Sequence, residues 1–292
     1  MEIFNQYISI YRNAMDTEGS VTLLTSFLNS QKHKDRVGYI RSLPTKKERD
    51  AEKVKLPLAT ISGVFQPTRS AINLAQHSGF ICIDIDSKDN KHFSDIEQVR
   101  PILESRPEIA YLAHSVSGTG YFALIRLAHP EYHKQHFRQL LADYSAIGIN
   151  LDKACGDVCR LRCVSFEETP YINVDATLYE GLHVEKMPDS YKPTYQNDSW
   201  DLKKVIRCCE MIRAHRIDIT GSYADWFTVG SALSSLGEDG RYWFHLCSSM
   251  NPAYSVEETD EKFTECLKNT SMVNIGTFFY LCQQYGITYA RG

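Results

Sequence analysis

The 292-residue sequence predicts a mixed α/β domain over residues 1–180, a linker over 181–198 and a small all-α domain over 199–292. Short β-branched runs alternate with helical periodicities up to about residue 180, the strongest run being Phe80-Ile81-Cys82-Ile83-Asp84-Ile85-Asp86. From 181 to 199 the pattern lapses into Pro188, Pro193, Asn197 and other polar residues without periodicity. Beyond that stretch apolar residues recur only at helical spacing.

Taken in order, Val21, Leu23, Leu24, Phe27 and Leu28 predict a helix over 20–30 with Ser20 as its N-cap. A second helix covers 34–42 and stops before Pro44. Residues 45–54 mix charges of both signs and suit a solvated helix face. A strand over 58–64 precedes the acid-bearing strand over 80–86. A helix over 94–105 leads to a strand at 109–113, a Ser/Gly loop, and a further strand at 121–125. The helix over 131–147 carries His133 and His136, three apart with no matching acid, which suits a solvated face. In the carboxyl-terminal part Leu202, Val205, Ile206, Cys209 and Ile212 mark one amphipathic helix, and 226–236 marks a second, ended by Gly237. A third covers Tyr242, Trp243 and Leu246, a capping box at Ser255 opens a fourth, and 275–285 gives a fifth before Gly286.

Composition is that of an ordinary globular protein, 43% hydrophobic and 23% charged. No apolar run is long enough to span a bilayer, and the first residues do not form a signal peptide. Nine scattered cysteines, an odd number, suit reduced thiols, so a cytoplasmic location is expected. The net charge of −4 argues against a simple coating protein for nucleic acid, and any polyanion site must be a local patch.

Chemistry concentrates in three stretches. In a strand Asp84 and Asp86 share one face, with Ile85 opposite. Two carboxylates that close repel each other, and a divalent cation with a taste for hard oxygens is the usual remedy. The alternative is a strand end that surfaces into a polar turn, Asp86-Ser87-Lys88-Asp89-Asn90. The loop Ser115-Val116-Ser117-Gly118-Thr119-Gly120 either joins a hairpin or presents bare N–H groups to phosphate oxygens. The third stretch offers Asp152 and then Arg160-Leu161-Arg162, whose two guanidiniums share a strand face. They serve an anionic ligand or pair with Asp157, Glu167 or Glu168. Cys155, Cys159 and Cys163 lack a second close pair for a zinc cluster and fit as small buried hydrophobes. Asp84, Asp86 and Asp152 together could hold two divalent ions about 3.5–4 Å apart, as nucleotidyl transfer uses.

The order strand-Asp-x-Asp, Ser-x-Ser-Gly-x-Gly, Leu-Asp and then Arg-Leu-Arg resembles the archaeo-eukaryotic primase and primase-polymerase superfamily. Residues from about 1 to 180 more closely resemble the amino-terminal domain of virulence-associated protein E homologues of Bacteroidetes mobile elements, on the stretches 77–86 and 115–122. Residues from about 200 to 286, with the stretches 226–233 and 275–278, are similar to a helical primase carboxyl-terminal module. The resemblance implies an RRM-like catalytic sheet with flanking helices. It implies Asp84, Asp86 and Asp152 as catalytic metal ligands for Mg²⁺ or Mn²⁺. Ser115, Ser117, Gly118, Thr119 and Gly120 would lie by nucleotide phosphates, with Arg160 and Arg162 serving phosphate as well. Implied partners are a single-stranded DNA template, nucleoside triphosphates and, as a candidate, a helicase; no membrane is implied. Phe122 stands where such primases carry a His that contacts the triphosphate, so a catalytically weak module that binds nucleic acid or recruits a helicase is the alternative. A haloacid-dehalogenase-type phosphatase is disfavoured, because Lys88 stands where that class needs Thr or Val.

Overall fold

The computed structural model describes residues 2–187, 200–269 and 273–289, and these fall into two compact units, Met1–His183 and Val184–Gly292. The 188–198 part of the expected linker lies outside the described residues.

In the first unit, β1 (Tyr7–Tyr11), β2 (Ser20–Leu23), α1 (Leu24–Leu28), α2 (Lys34–Ser42), α3 (Lys46–Lys53), β3 (Leu58–Thr60), β4 (Gly63–Phe65) and β5 (Leu74–His77) precede the acid-bearing β6 (Phe80–Asp86). Then come α4 (Val99–Glu104), β7 (Ile109–His114), β8 (Gly120–Arg126), α5 (His133–Ala146), β9 (Leu161–Cys163) and β10 (Tyr171–Ile172). One antiparallel sheet has the order β10-β7-β8-β6, a second β2-β1-β3-β9, and β4 and β5 form a ribbon. In the first sheet β7 follows β6 through α4, and β8 returns between them as a hairpin, which is the RRM-like arrangement.

Period-two alternation in β6 decides what each face buries. Ile81, Ile83 and Ile85, all fully buried, pack with Val99 and Leu103 of α4 and Phe137, Leu140 and Tyr144 of α5. Phe80 and Cys82 point the other way, into a core shared with Phe4, with Ile8 and Ala59 of the second sheet and with Val37 and Ile40 of α2. Asp84 and Asp86 continue that second face where the core runs out.

Two expectations are corrected. Residues 20–23 form a strand rather than the first turn of a helix, because Ser20–Leu23 pairs antiparallel with β1. His133 and His136 are buried, not solvated. They sit on the same helical stripe as Phe137, Leu140 and Tyr144, which faces the sheet.

The second unit contains α6 (Trp200–His215), α7 (Tyr223–Ser234), α8 (Arg241–Ser248), α9 (Val256–Lys268) and α10 (Ile275–Gln284). Val205, Cys209, Ile212, Val229, Leu233, Phe244, Phe263 and Phe278 form its fully buried core. Ser222, Ser255 and Asn274 each accept an N-terminal N–H of the helix they open. Gly237 and Gly286 follow α7 and α10 with φ of +64° and +73°, the left-handed conformation that ends helices.

Candidate functional site

Asp84 is mostly shielded from water near the end of β6, directly opposite Phe122 in the β6–β8 ladder. Its carboxylate accepts a hydrogen bond from Arg162 Nη1, reaching across from β9 in the facing sheet. Burial alone would lower the Arg162 pKa, but the Asp84 carboxylate and nearby thiols more than reverse it, so the guanidinium stays charged. Cys82, two residues before Asp84, is pushed up to about 12 by burial and by that carboxylate.

Asp152 arrives from the segment after α5. Its backbone N–H donates to the Asp84 carbonyl at 2.9 Å, laying the 152 region along the open edge of β6. Its carboxylate caps the turn Lys153–Gly156 by accepting the Ala154 N–H at 3.0 Å, and it accepts from Arg160 Nη2 at 3.0 Å. The like-charge repulsion expected at the acids is therefore relieved within the chain, by Arg162 on Asp84 and Arg160 on Asp152. The acids expected as partners for this pair, Asp157, Glu167 and Glu168, are not the ones they meet.

Carboxylate oxygens of Asp84 and Asp152 and Sγ of Cys155 all lie within 4.8 Å of one another. Ligand atoms on one ion, each about 2.0–2.3 Å from it, stand at most about 4.6 Å apart. These three groups thus fit a divalent cation with small adjustments. Asp86 shares the face but not the cluster. It pairs with Lys88 Nζ at 3.2 Å, and that bond raises the Lys88 pKa.

The Ser/Gly loop closes the β7–β8 hairpin opposite the end of β6. Ser115 N–H donates to the Gly120 carbonyl at 2.8 Å and Gly118 N–H to the Ser115 carbonyl at 2.9 Å. The hydroxyls of Ser115, Ser117 and Thr119 form a chain with spacings of 3.2 and 3.1 Å. Gly120 is required by close approach, since a Cβ there would lie 2.4 Å from the Ile85 carbonyl oxygen.

Arg41, in the last turn of α2, escaped the sequence reading. Its side chain packs on Gly118, and its Nη2 donates to the Ser115 carbonyl at 3.1 Å and to Ser165 Oγ at 3.3 Å. Its buried Nε has no hydrogen-bond partner, and among the described residues no carboxylate comes within ion-pair distance of it. Burial lowers its pKa. No local motif marks Arg41, because 74 residues separate it from Ser115.

A cavity of about 1030 Å³ runs along α5, lined by His77, His133, Phe137, Arg138, Leu141 and Lys153 among others. Leu141 and Lys153 also line a cavity of about 550 Å³ that carries Lys88, Asp89 and Asp152. His77 Nδ1 accepts the Gly79 N–H at 2.9 Å, so its proton is on Nε2, which donates to His133 Nδ1 at 3.1 Å. Burial lowers both pKa values, that of His77 to about 4 and that of His133 to about 3.

Each unit contains a match to a family model. Residues 51–171 match the family model described as BT4734-like, N-terminal domain, and residues 209–282 match Primase C terminal 2 (PriCT-2). The first match encloses the acids, the Ser/Gly loop, Arg160 and Arg162; Arg41 precedes it. No curated protein and no solved structure matches the chain. Among the described residues no helix is long and apolar enough to cross a membrane.

Proposed function

We propose that this protein is a primase-like nucleotidyltransferase of a mobile element, related to the virulence-associated protein E systems, acting on a single-stranded DNA template with nucleoside triphosphates. The observation that carries the reading is the convergence of Asp84 and Asp152 on one face with the Ser115–Gly120 loop and the cations Arg41, Arg160 and Arg162. Asp84 and Asp152 would hold Mg²⁺ or Mn²⁺, with Asp86 joining if it leaves Lys88. A bound cation supplies charge stabilisation at the pyrophosphate leaving group. Arg160, 43% exposed, turns from Asp152 to phosphate, whereas the buried Arg162 stays with Asp84. Ser117, Thr119 and the N–H groups around Gly118 orient the phosphates beside Arg41. The two cavities share Leu141 and Lys153 in their linings, and together they would give the template a route from α5 to Asp152.

One observation favours a second reading, a catalytically weak module that binds nucleic acid or recruits a helicase. Phe122 is 3% exposed and lies beneath Arg162, so it offers the triphosphate no donor. The loss of one such donor costs about 10²–10³ in rate. Primer extension on single-stranded DNA with Mn²⁺, alongside calorimetric nucleotide binding, tests both. Slow template-dependent synthesis that Asp152→Asn removes supports the enzyme. Nucleotide binding without synthesis supports the module, and the absence of both overturns the enzyme.

A further inference from the structure

The third ligand atom beside the two acids is sulfur. Cys155 belongs to the turn Lys153–Gly156, which Asp152 organises by accepting the Ala154 N–H on its side chain and the Cys155 N–H on its carbonyl at 3.1 Å. That turn sends the Cys155 side chain back toward β6, where it is 2% exposed. Its thiol is in no disulfide, and two carboxylates stand within 4.8 Å.

Charge makes the thiol consequential. Asp84 and Asp152 carry two negative charges, and Arg162 and Arg160 already balance them. A thiolate would add a third negative charge and a soft donor beside the two carboxylates. Asp86, the remaining acid on that face, is turned to Lys88.

We propose that Cys155 completes a mixed oxygen–sulfur cation site with Asp84 and Asp152, and that this site takes a thiophilic divalent ion, Co²⁺ or Zn²⁺, in preference to Mg²⁺. The inference rests on the reading that Asp84 and Asp152 hold a cation. On binding, the S–H bond breaks, the proton leaves to solvent, and the sulfur lone pair forms the bond to the ion.

Co²⁺ titration of the full chain, followed by absorption, tests this directly. A near-ultraviolet thiolate-to-cobalt charge-transfer band should saturate at one ion per chain and resist a large excess of Mg²⁺. Cys155→Ser should abolish the band and weaken Co²⁺ binding by about 10–100-fold, the scale reached even by outer-shell changes. Asp86→Asn, Cys82→Ser and Cys209→Ser should keep it; the last controls for the close pair Cys209 and Cys247, whose sulfurs are 3.7 Å apart. Should Cys155→Ser fold poorly, the Mg²⁺ competition on the wild type still decides. Calorimetric Co²⁺ binding without the band, bleaching by Mg²⁺, or a band that survives in folded Cys155→Ser overturns the thiolate site and leaves the oxygen-only reading standing. No binding of Co²⁺, Mn²⁺ or Mg²⁺ by the wild type brings down that reading as well.

Discussion

The Arg162 guanidinium lies 4.7 Å from the centre of the Phe122 ring, stacked over the aromatic face that stands opposite Asp84 in the β6–β8 ladder. The same guanidinium bonds to Asp84, so one cation is held by a ring below and a carboxylate beside it. Arg162 is therefore part of the core that fixes Asp84, as well as a neighbour of the site. Truncating one partner of a buried pair costs about 3–5 kcal/mol, because the other charge is left unpaired. Arg162→Ala should lose stability on that scale in urea unfolding. Adding Asp84→Asn to it should recover part of the loss, and a fully additive loss would show that the pair is not coupled.

The two acids at the cluster should respond differently to removal. Asp152→Asn should abolish Mn²⁺ binding while changing stability by no more than about 1 kcal/mol, since its partner Arg160 is exposed and water replaces the bond. Asp84→Asn should abolish binding and also destabilise, because Arg162 is buried. Asp86→Asn should leave the affinity close to that of the wild type, as its carboxylate is with Lys88. Calorimetry with folded variants checks all three. Binding lost in Asp86→Asn but kept in Asp152→Asn would move the site to the Asp84–Asp86 pair.

Much of this arrangement is legible in the sequence where a single period decides it. β6 is the clear case, since the alternation of Ile81, Ile83 and Ile85 with Cys82 and the acids admits one pair of faces. α2 has the bounds its pattern predicts, and α3 opens with a capping box between Thr45 and Glu48. Residues 20–23 misled because Val21 and Leu23 fit either a strand or a helix, and the choice is settled only by pairing with β1, whose Tyr7-Ile8-Ser9-Ile10-Tyr11 run is itself strand-like. His133 and His136 were legible, in hindsight, from their spacing to Phe137, Leu140 and Tyr144. The pairing of Arg162 with Asp84 and of Arg41 with Ser115 was not, because contacts 78 and 74 residues apart leave no local pattern.

The buried histidine pair should shape the acid limb of stability. His77 and His133 are lowered to about 4 and about 3 in the folded chain, against an ordinary value of about 6.5. The unfolded chain then binds more protons below pH about 6.5, so their contribution is present above that pH and is lost as pH falls toward 4. Each histidine contributes a slope of up to about 1.4 kcal/mol per pH unit. His114 acts in the opposite sense, because its hydrogen bond to Glu167 raises its pKa, and its contribution fades as pH rises. His77→Leu with His133→Leu should flatten the slope between pH 4 and 6.5 relative to the wild type. An unchanged slope in urea midpoints would show that the pair titrates normally.

Arg41 gives the sharpest test of where phosphates lie. It is a half-buried cation packed on Gly118, with a buried Nε that lacks a partner and no carboxylate at ion-pair distance among the described residues. Such a guanidinium gains most from an incoming anion, since a charge-assisted hydrogen bond contributes about 1.5–3 kcal/mol. Arg41→Gln should therefore weaken nucleoside triphosphate binding about tenfold or more, with a smaller effect on the monophosphate that reaches fewer of the loop's donors. Arg36 lies on the same helix but is bonded to Glu52, so Arg36→Gln should leave triphosphate affinity unchanged. Calorimetry on the two variants separates a site-specific effect from a change in the charge of α2. If both lose affinity equally, the helix acts only through its overall charge. If neither does, the triphosphate lies away from the Ser115–Gly120 loop, and Arg160 becomes the cation to examine for phosphate.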